Sequence, residues 1–184
     1  MRPEKPVAEA AQLSLVVAVA LAEALIAVLP AEAEIACKWP NDVLVNGCKV
    51  AGILLESQGN ADAVSWIVVG CGVNVASNPD DTAYPATNLD AVCGKPVALD
   101  TVLEHYLDRL FSWRGRWMEQ GVAPVRQAWV DRAAGIGGPI TVRLPDRELT
   151  GRFYDMDADG ALLLELPDGQ CQKITAGDVF IGSA

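Results

Sequence analysis

The sequence contains a single histidine, His105, and its five cysteines (Cys37, Cys48, Cys71, Cys93 and Cys171) form no CxxC pair. Without clustered thiols and imidazoles a zinc site lacks its ligand set. An odd number of scattered cysteines also does not make the disulfide framework of a small secreted domain. The thiols are expected to stay reduced, as in a cytoplasmic protein. Cations are scarce too: 14 Lys and Arg stand against 24 Asp and Glu, a net charge of -10. Non-specific nucleic-acid binding needs clustered Lys and Arg to neutralise phosphates, and this chain argues against it. No apolar run is long enough for a membrane span. Leu13–Leu29 falls short of the roughly 20 residues required and carries Glu23 near its centre. It follows no basic leader, since Glu4 and Glu9 are among the charges there. Repeats and low-complexity segments are absent.

What is present is a chain of 184 residues, half of them apolar, enough for one domain with a small appendage. Leu13–Leu29, closed by Pro30, reads as a core helix packed against a sheet. The period then changes. Lys38–Asn46 and Lys49–Glu56 are β-branched runs about Asn46-Gly47, a strong hairpin signal. A loop from Ser57 to Ala63 precedes a third strand, Val64–Val69. Asn74–Lys95, rich in Asn, Asp, Pro and Thr, reads as a long functional loop. Helices return at Asp100–Met118, with Asp100 as cap, and at Ala123–Arg132. Val102, Leu103, Tyr106, Leu107, Leu110 and Phe111 follow helical spacing and are expected to form a core face. His105, in that helix and without a partner, reads as a surface or boundary residue rather than a base. Gly135-Ile136-Gly137-Gly138-Pro139 marks a boundary between domains at 1–134 and 139–184. Beyond it, Ile140–Leu144, Glu148–Tyr154, Ala161–Leu166 and Gln172–Ile174 read as short strands of an SH3-type barrel.

The chemistry concentrates in Lys38-Trp39-Pro40-Asn41-Asp42 and, after the turn, Lys49-Val50-Ala51-Gly52-Ile53-Leu54. Two lysines bracket a turn and enter apolar strands, where an unpaired ammonium is costly. A ligand phosphate or carboxylate would supply the missing anion. Taken alone, each lysine reads first as a solvated strand-edge residue. Gly52 signals either close approach of a backbone or ligand, or a simple bulge. Gly70-Cys71-Gly72-Val73-Asn74 ends a strand with two glycines and an amide, and such turns bring backbone N–H groups to phosphates. It is neither a Walker loop nor a dinucleotide fingerprint. Trp39 is as compatible with core as with a ligand wall. Cys37, Cys48 and Cys71 read as small buried hydrophobes, and Arg143, Arg147 and Arg152 as solvated charge.

Together these pieces resemble the biotin–protein ligases. KWPND, KVAGILLE and GCGVN occur in that family's order and spacing, and Pro85-Ala86-Thr87-Asn88-Leu89 is similar to the end of its loop. Gly151 through Gly160-Ala161-Leu162-Leu163-Leu164 to Ala176-Gly177-Asp178-Val179 resembles its C-terminal SH3-like domain. The resemblance covers nearly the whole chain. It implies an α/β (α+β) fold with a mixed-sheet catalytic domain and a small barrel. It implies an enzyme that makes biotinyl-5′-AMP from biotin and ATP with Mg2+, then transfers biotin to a lysine of a carboxylase carrier domain.

By that resemblance Lys49 contacts the biotin carboxyl and the α-phosphate, and Lys38 adds a second cation there. Gly52 lets main-chain groups reach the biotin ring system, Gly72 belongs to the biotin/adenylate site, and Asn74 meets the nucleotide phosphates or their metal. Asn41 and Asp42 shape the site, with Asp42 assisting the incoming carrier lysine. Arg143, Arg147 and Arg152 of the small domain, read first as solvated charge, are candidates for contact with ATP or the carrier protein. A lipoate-type ligase fits less well, because KWPND followed by KVAGILLE is a biotin-side signature. An unrelated scaffold protein with an SH3 unit is remote.

The family's Gly-Arg-Gly-Arg loop and the strands around it have no counterpart here, nor does the DNA-binding helix-turn-helix that some members carry. Arg2-Pro3 resembles the end of the strand preceding the helix, so that Met1 reads as internal to a longer protein. The expectation is an incomplete enclosure, weak or absent activity for this chain alone, and an open apolar edge that favours a homodimer. The alternative is a non-catalytic remnant that keeps some ligand or carrier contacts.

Overall fold

The structure is a computed structural model that describes residues 6–59, 64–82 and 84–182. Arg2 and Pro3 lie outside the described residues. A short α1 (Val7–Ala10) leads into α2 (Leu13–Val28), which is apolar on nearly all sides and accordingly buried on nearly all sides. Its polar residues are partnered: Gln12, just before it, accepts from Trp117 Nε1 at 3.1 Å, and Glu23 accepts from Trp113 Nε1 at 3.0 Å. No described helix is long and apolar enough to cross a membrane.

Four antiparallel strands follow in the order β1 (Ile35–Lys38), β2 (Asp42–Val45), β3 (Cys48–Gly59) and β4 (Val64–Val73). The run Lys38–Asn46, read from sequence as one strand, is divided between β1 and β2 by Trp39-Pro40-Asn41, which folds Lys38 opposite Asp42. Asn46-Gly47 makes the β2–β3 turn as expected, with φ of 50° and 75°, the left-handed values that Asn and Gly tolerate. β3 runs to Gly59 and β4 to Val73, so the Gly70-Cys71-Gly72 stretch is strand rather than turn.

The long loop holds a short α3 (Leu89–Cys93), whose N-cap Asn88 accepts from Ala91 N–H at 2.9 Å. Helix α4 (Leu99–Gln120) packs against α2, and α5 (Ala123–Val130) completes the layer. Asp100 lies in the first turn of α4 and makes no cap bond, Ala98 being the N-cap. The expected core face of α4 is half right. Val102 and Leu110 are buried, but with Trp113 and Trp117 rather than with Leu103, Leu107 and Phe111, which are exposed. The helix touches α2 along one narrow stripe, and the two tryptophans, which supply its largest buried surfaces, fix which stripe that is.

After Gly135–Gly138 come β5 (Pro139–Arg143), β6 (Glu148–Met156), β7 (Leu162–Glu165), β8 (Cys171–Ile174) and β9 (Asp178–Ile181), in the order β8-β7-β6-β5-β9. β9, not expected as a strand, pairs with β5. This SH3-like unit is tied to the larger one at two places. Trp39 Nε1 donates to the Gly160 carbonyl at 3.0 Å. Arg126 on α5 donates through Nε to the Met156 carbonyl at 2.8 Å and through Nη2 to Asp155 Oδ2 at 2.6 Å.

Candidate functional site

One carboxylate organises the site. Lys38 and Asp42, opposite each other on β1 and β2, are both buried, and Lys38 Nζ donates to Asp42 Oδ2 at 3.1 Å. Lys49 Nζ lies 2.6 Å from the other oxygen, Asp42 Oδ1. Lys38 is sealed in, whereas the Lys49 side chain remains 39% exposed. Two ammoniums on one carboxylate leave one positive charge uncompensated, in a recess where charges attract more strongly than in water.

Lys49 reaches Asp42 because β3 is irregular. The β2–β3 pairing runs Asp42↔Gly52 and Val43↔Ala51, then slips to Leu44↔Lys49, leaving Val50 as an extra residue. Alternate residues of a strand share a face, so on a regular strand Lys49 and Gly52 point to opposite sides. The bulge turns Lys49 onto the Asp42 side. Gly52 supplies the ground beneath it. A Cβ at Gly52 would sit 3.4 Å from Lys49 Nζ and 3.5 Å from Asp42 Oδ1, so anything larger than a methyl group would press on the ion pair. Gly72 is directly across from Gly52 on β4, and the pair leaves bare backbone as the floor.

The long loop closes against the same strand. Lys49 N–H donates to the Pro85 carbonyl at 2.7 Å, and Thr87 N–H donates to the Lys49 carbonyl at 2.9 Å. Asn74 follows β4 and anchors this loop: its N–H donates to the Val50 carbonyl at 2.8 Å and its Nδ2 to the Thr87 carbonyl at 3.0 Å. Tyr84 is thereby set against Lys38, whose Nζ is 4.8 Å from the ring centroid. Burial, then the neighbouring Cys48 and Asp42, push the Tyr84 hydroxyl above the usual phenol range, so it stays neutral.

These groups line a cleft of about 540 Å³ whose opposite wall belongs to the SH3-like unit: Arg143, Asp178, Val179 and Phe180. Of the residues expected at the site, the structure gathers Lys38, Asp42, Lys49, Gly52, Gly72 and Asn74 onto it. Asn41 does not line it. Its Nδ2 donates to the Ile53 carbonyl at 2.6 Å and its carbonyl accepts from Ile53 N–H at 2.9 Å, so it braces the turn against β3.

Trp39 is buried and serves the junction with the SH3-like unit. The sequence reading missed Tyr84, one residue before Pro85-Ala86-Thr87, and ranked Arg143 as solvated charge ahead of ligand contact. Cys37 is fully buried, and burial, partly offset by Arg132, pushes its thiol up to about 12. Burial likewise lifts Cys71 to about 11 despite its hydrogen bond with Tyr106. Neither thiol offers a thiolate at neutral pH. His105 is half-buried on α4 and does not line the cleft.

A sheet and helices carry a paired-lysine cleft, walled by a second, smaller β-unit. Residues 1–131 match the model of the biotin/lipoate A/B protein ligase family and residues 135–182 that of the biotin protein ligase C-terminal domain; the chain belongs to this family. It is 44% identical to the biotin–[acetyl-CoA-carboxylase] ligase of Paracoccus denitrificans, over 99% of this chain and 78% of that protein. It is 34% identical to the bifunctional ligase/repressor BirA of Bacillus subtilis, covering 99% of this chain but 56% of that protein. The chain thus spans little more than half the length of the Bacillus relative.

Among solved structures, the biotin protein ligase of Aquifex aeolicus in complex with biotin and ATP superposes with a TM-score of 0.78 at 26% identity, over 93% of this chain and 72% of that one. A biotin protein ligase-like protein of Silicibacter sp. gives a TM-score of 0.80 at 25% identity, over 95% and 75%.

Proposed function

We propose that this chain carries the biotin-activating cleft of a biotin–protein ligase, forming biotinyl-5′-AMP from biotin and ATP and passing biotin to a lysine of a carboxylase carrier domain. The observation that carries the reading is the Asp42 carboxylate holding Lys38 and Lys49 over the Gly52–Gly72 floor. In the first step a biotin carboxylate oxygen bonds to the α-phosphorus, the α–β phosphate bond breaks, and pyrophosphate leaves. Lys49, already fixed by one contact to Asp42, has further N–H donors for the carboxylate and the α-phosphate. Its position is set before charge develops, which is where electrostatic catalysis gains most.

Lys38, almost sealed and paired to the other Asp42 oxygen, adds positive potential at the cleft. In the second step the neutral carrier amine attacks the acyl carbon, the acyl C–O bond to the phosphate breaks, AMP departs, and the amine's surplus proton passes to solvent. Asp42, with both oxygens engaged by ammoniums, is a holder of lysines in this scheme rather than a base. Among the described residues no three His, Cys, Asp or Glu side chains gather to hold a metal. Magnesium fits this site as an ion bound to the nucleotide phosphates, which is its usual mode.

Five free cysteines fit a reducing, cytoplasmic setting. The outward faces of β3 and β4 expose Leu54, Trp66 and Val68, and these support self-association. ATP- and biotin-dependent labelling of a carboxylase carrier domain by this chain is expected to be weak, and to vanish in Lys49→Ala. Adenylate binding without any labelling would favour a binding remnant instead. A Lys49→Ala protein as active as the parent would overturn the reading.

A further inference from the structure

We infer that Arg143 is a positioning residue for the polyphosphate end of the nucleotide, supplied from the SH3-like unit across the cleft from Lys49. The inference rests on the proposed use of ATP. Arg143 ends β5 and, among the described residues, is the one cation that this unit contributes to the cleft lining. It is held on two sides. Nε donates to Glu148 Oε1 at 2.7 Å, and the guanidinium carbon sits over the Phe180 ring, 4.6 Å from its centroid. Among the described residues its two terminal nitrogens make no hydrogen bond. A planar guanidinium oriented through Nε and one face, with both Nη groups unpaired, is preset to grip a phosphate.

The charge around it points the same way. Lys38, Lys49 and Arg143 line the cleft against two carboxylates, Asp42 and Asp178, which makes it net positive in a chain of net charge -10. Asp42 is fully engaged by the lysines on the floor. Asp178 sits opposite Arg143 in the β5–β9 pairing without forming an ion pair with it. The cleft therefore has two separate cationic stations. Lys49, on the floor, suits the reacting α-phosphate, and Arg143, on the far wall, suits the β- and γ-phosphates that leave as pyrophosphate. Because the wall belongs to the SH3-like unit, its docking through Trp39–Gly160 and Arg126–Asp155 becomes part of nucleotide recognition.

The test compares ATP and AMP binding, both with Mg2+, by calorimetry on the full chain and on Arg143→Gln, Arg143→Lys and Arg147→Gln. Arg147 is exposed on the adjoining turn beside Asp146 and lies off the cleft, so it controls for general surface charge. Arg143→Gln is expected to weaken ATP about tenfold, the worth of one charged hydrogen-bonding group, with AMP and biotin affinities unchanged. Arg143→Lys should recover part of the loss, and Arg147→Gln should bind as the parent. Equal ATP affinity in Arg143→Gln and the parent overturns the inference and leaves the ligase reading standing. So does a loss shared equally by ATP and AMP. A parent chain that binds neither nucleotide nor biotin overturns the ligase reading itself.

Discussion

The Asp42 carboxylate and the Lys38 ammonium are both almost sealed from solvent, 3.1 Å apart, at facing positions of two strands joined by a three-residue turn. Removing one partner of such a pair leaves a charge that water does not reach, at a cost of about 3 kcal/mol or more. Asp42→Ala is therefore expected to lower the melting temperature by roughly 6–12 °C for a chain of this size. Adding Lys38→Met to Asp42→Ala should recover most of that loss. Urea unfolding of the two single variants and the double measures the coupling; purely additive losses would show that the two residues do not act as a pair.

The floor makes a second prediction. Gly52→Val places branched carbons where the Lys49 ammonium and the open backbone now lie. The substitution sits at the cleft, and the expected outcome is a folded protein with adenylate affinity reduced at least tenfold. Gly52→Ala, whose Cβ meets its neighbours at ordinary contact distance, should bind more nearly as the parent. Circular dichroism separates folding from binding in both.

Much of this site was legible in the sequence. KWPND, KVAGILLE and GCGVN contain Lys38, Asp42, Lys49, Gly52, Gly72 and Asn74, which the fold gathers on one cleft. Three things were not legible. The slip of register at Val50 decides which way Lys49 faces, and a strand pattern that assumes regular alternation hides it. The break within Lys38–Asn46 gave two strands where apolar periodicity read one. Arg143 looks like any exposed arginine until β5 is set opposite β3, a relation between distant segments. On α4 the helical spacing was half right: Val102 and Leu110 are buried, but Leu103, Leu107 and Phe111 are exposed, because packing on α2 selects a different stripe.

Thiol chemistry gives a pH-dependent prediction. Burial raises Cys37 to about 12 and Cys71 to about 11, so their reactive thiolates are scarce at pH 8 and appear only as pH rises toward those values. Exposed Cys171 is expected to take iodoacetamide first. Peptide mass spectrometry after labelling at pH 8 should find Cys171 modified and Cys37 untouched. Rapid labelling of Cys37 in the native protein would contradict its burial.

Trp66 and Val68 lie exposed on β4, an edge strand of the first sheet among the described residues, and Leu54 is exposed on the neighbouring strand. An exposed apolar strand edge is a template for pairing. Sedimentation is expected to show concentration-dependent association, reduced in Val68→Lys. A strictly monomeric parent at high concentration would remove the homodimer from the account.

The central claim is that the Lys49 cleft holds biotinyl-5′-AMP. The most direct measurement is calorimetric binding of a non-hydrolysable biotinyl-adenylate analogue to the full chain and to Lys49→Ala. The account predicts saturable one-to-one binding that weakens at least tenfold without Lys49, as expected for loss of a charged contact. Absence of binding by the parent chain, or equal affinity in Lys49→Ala, would contradict it.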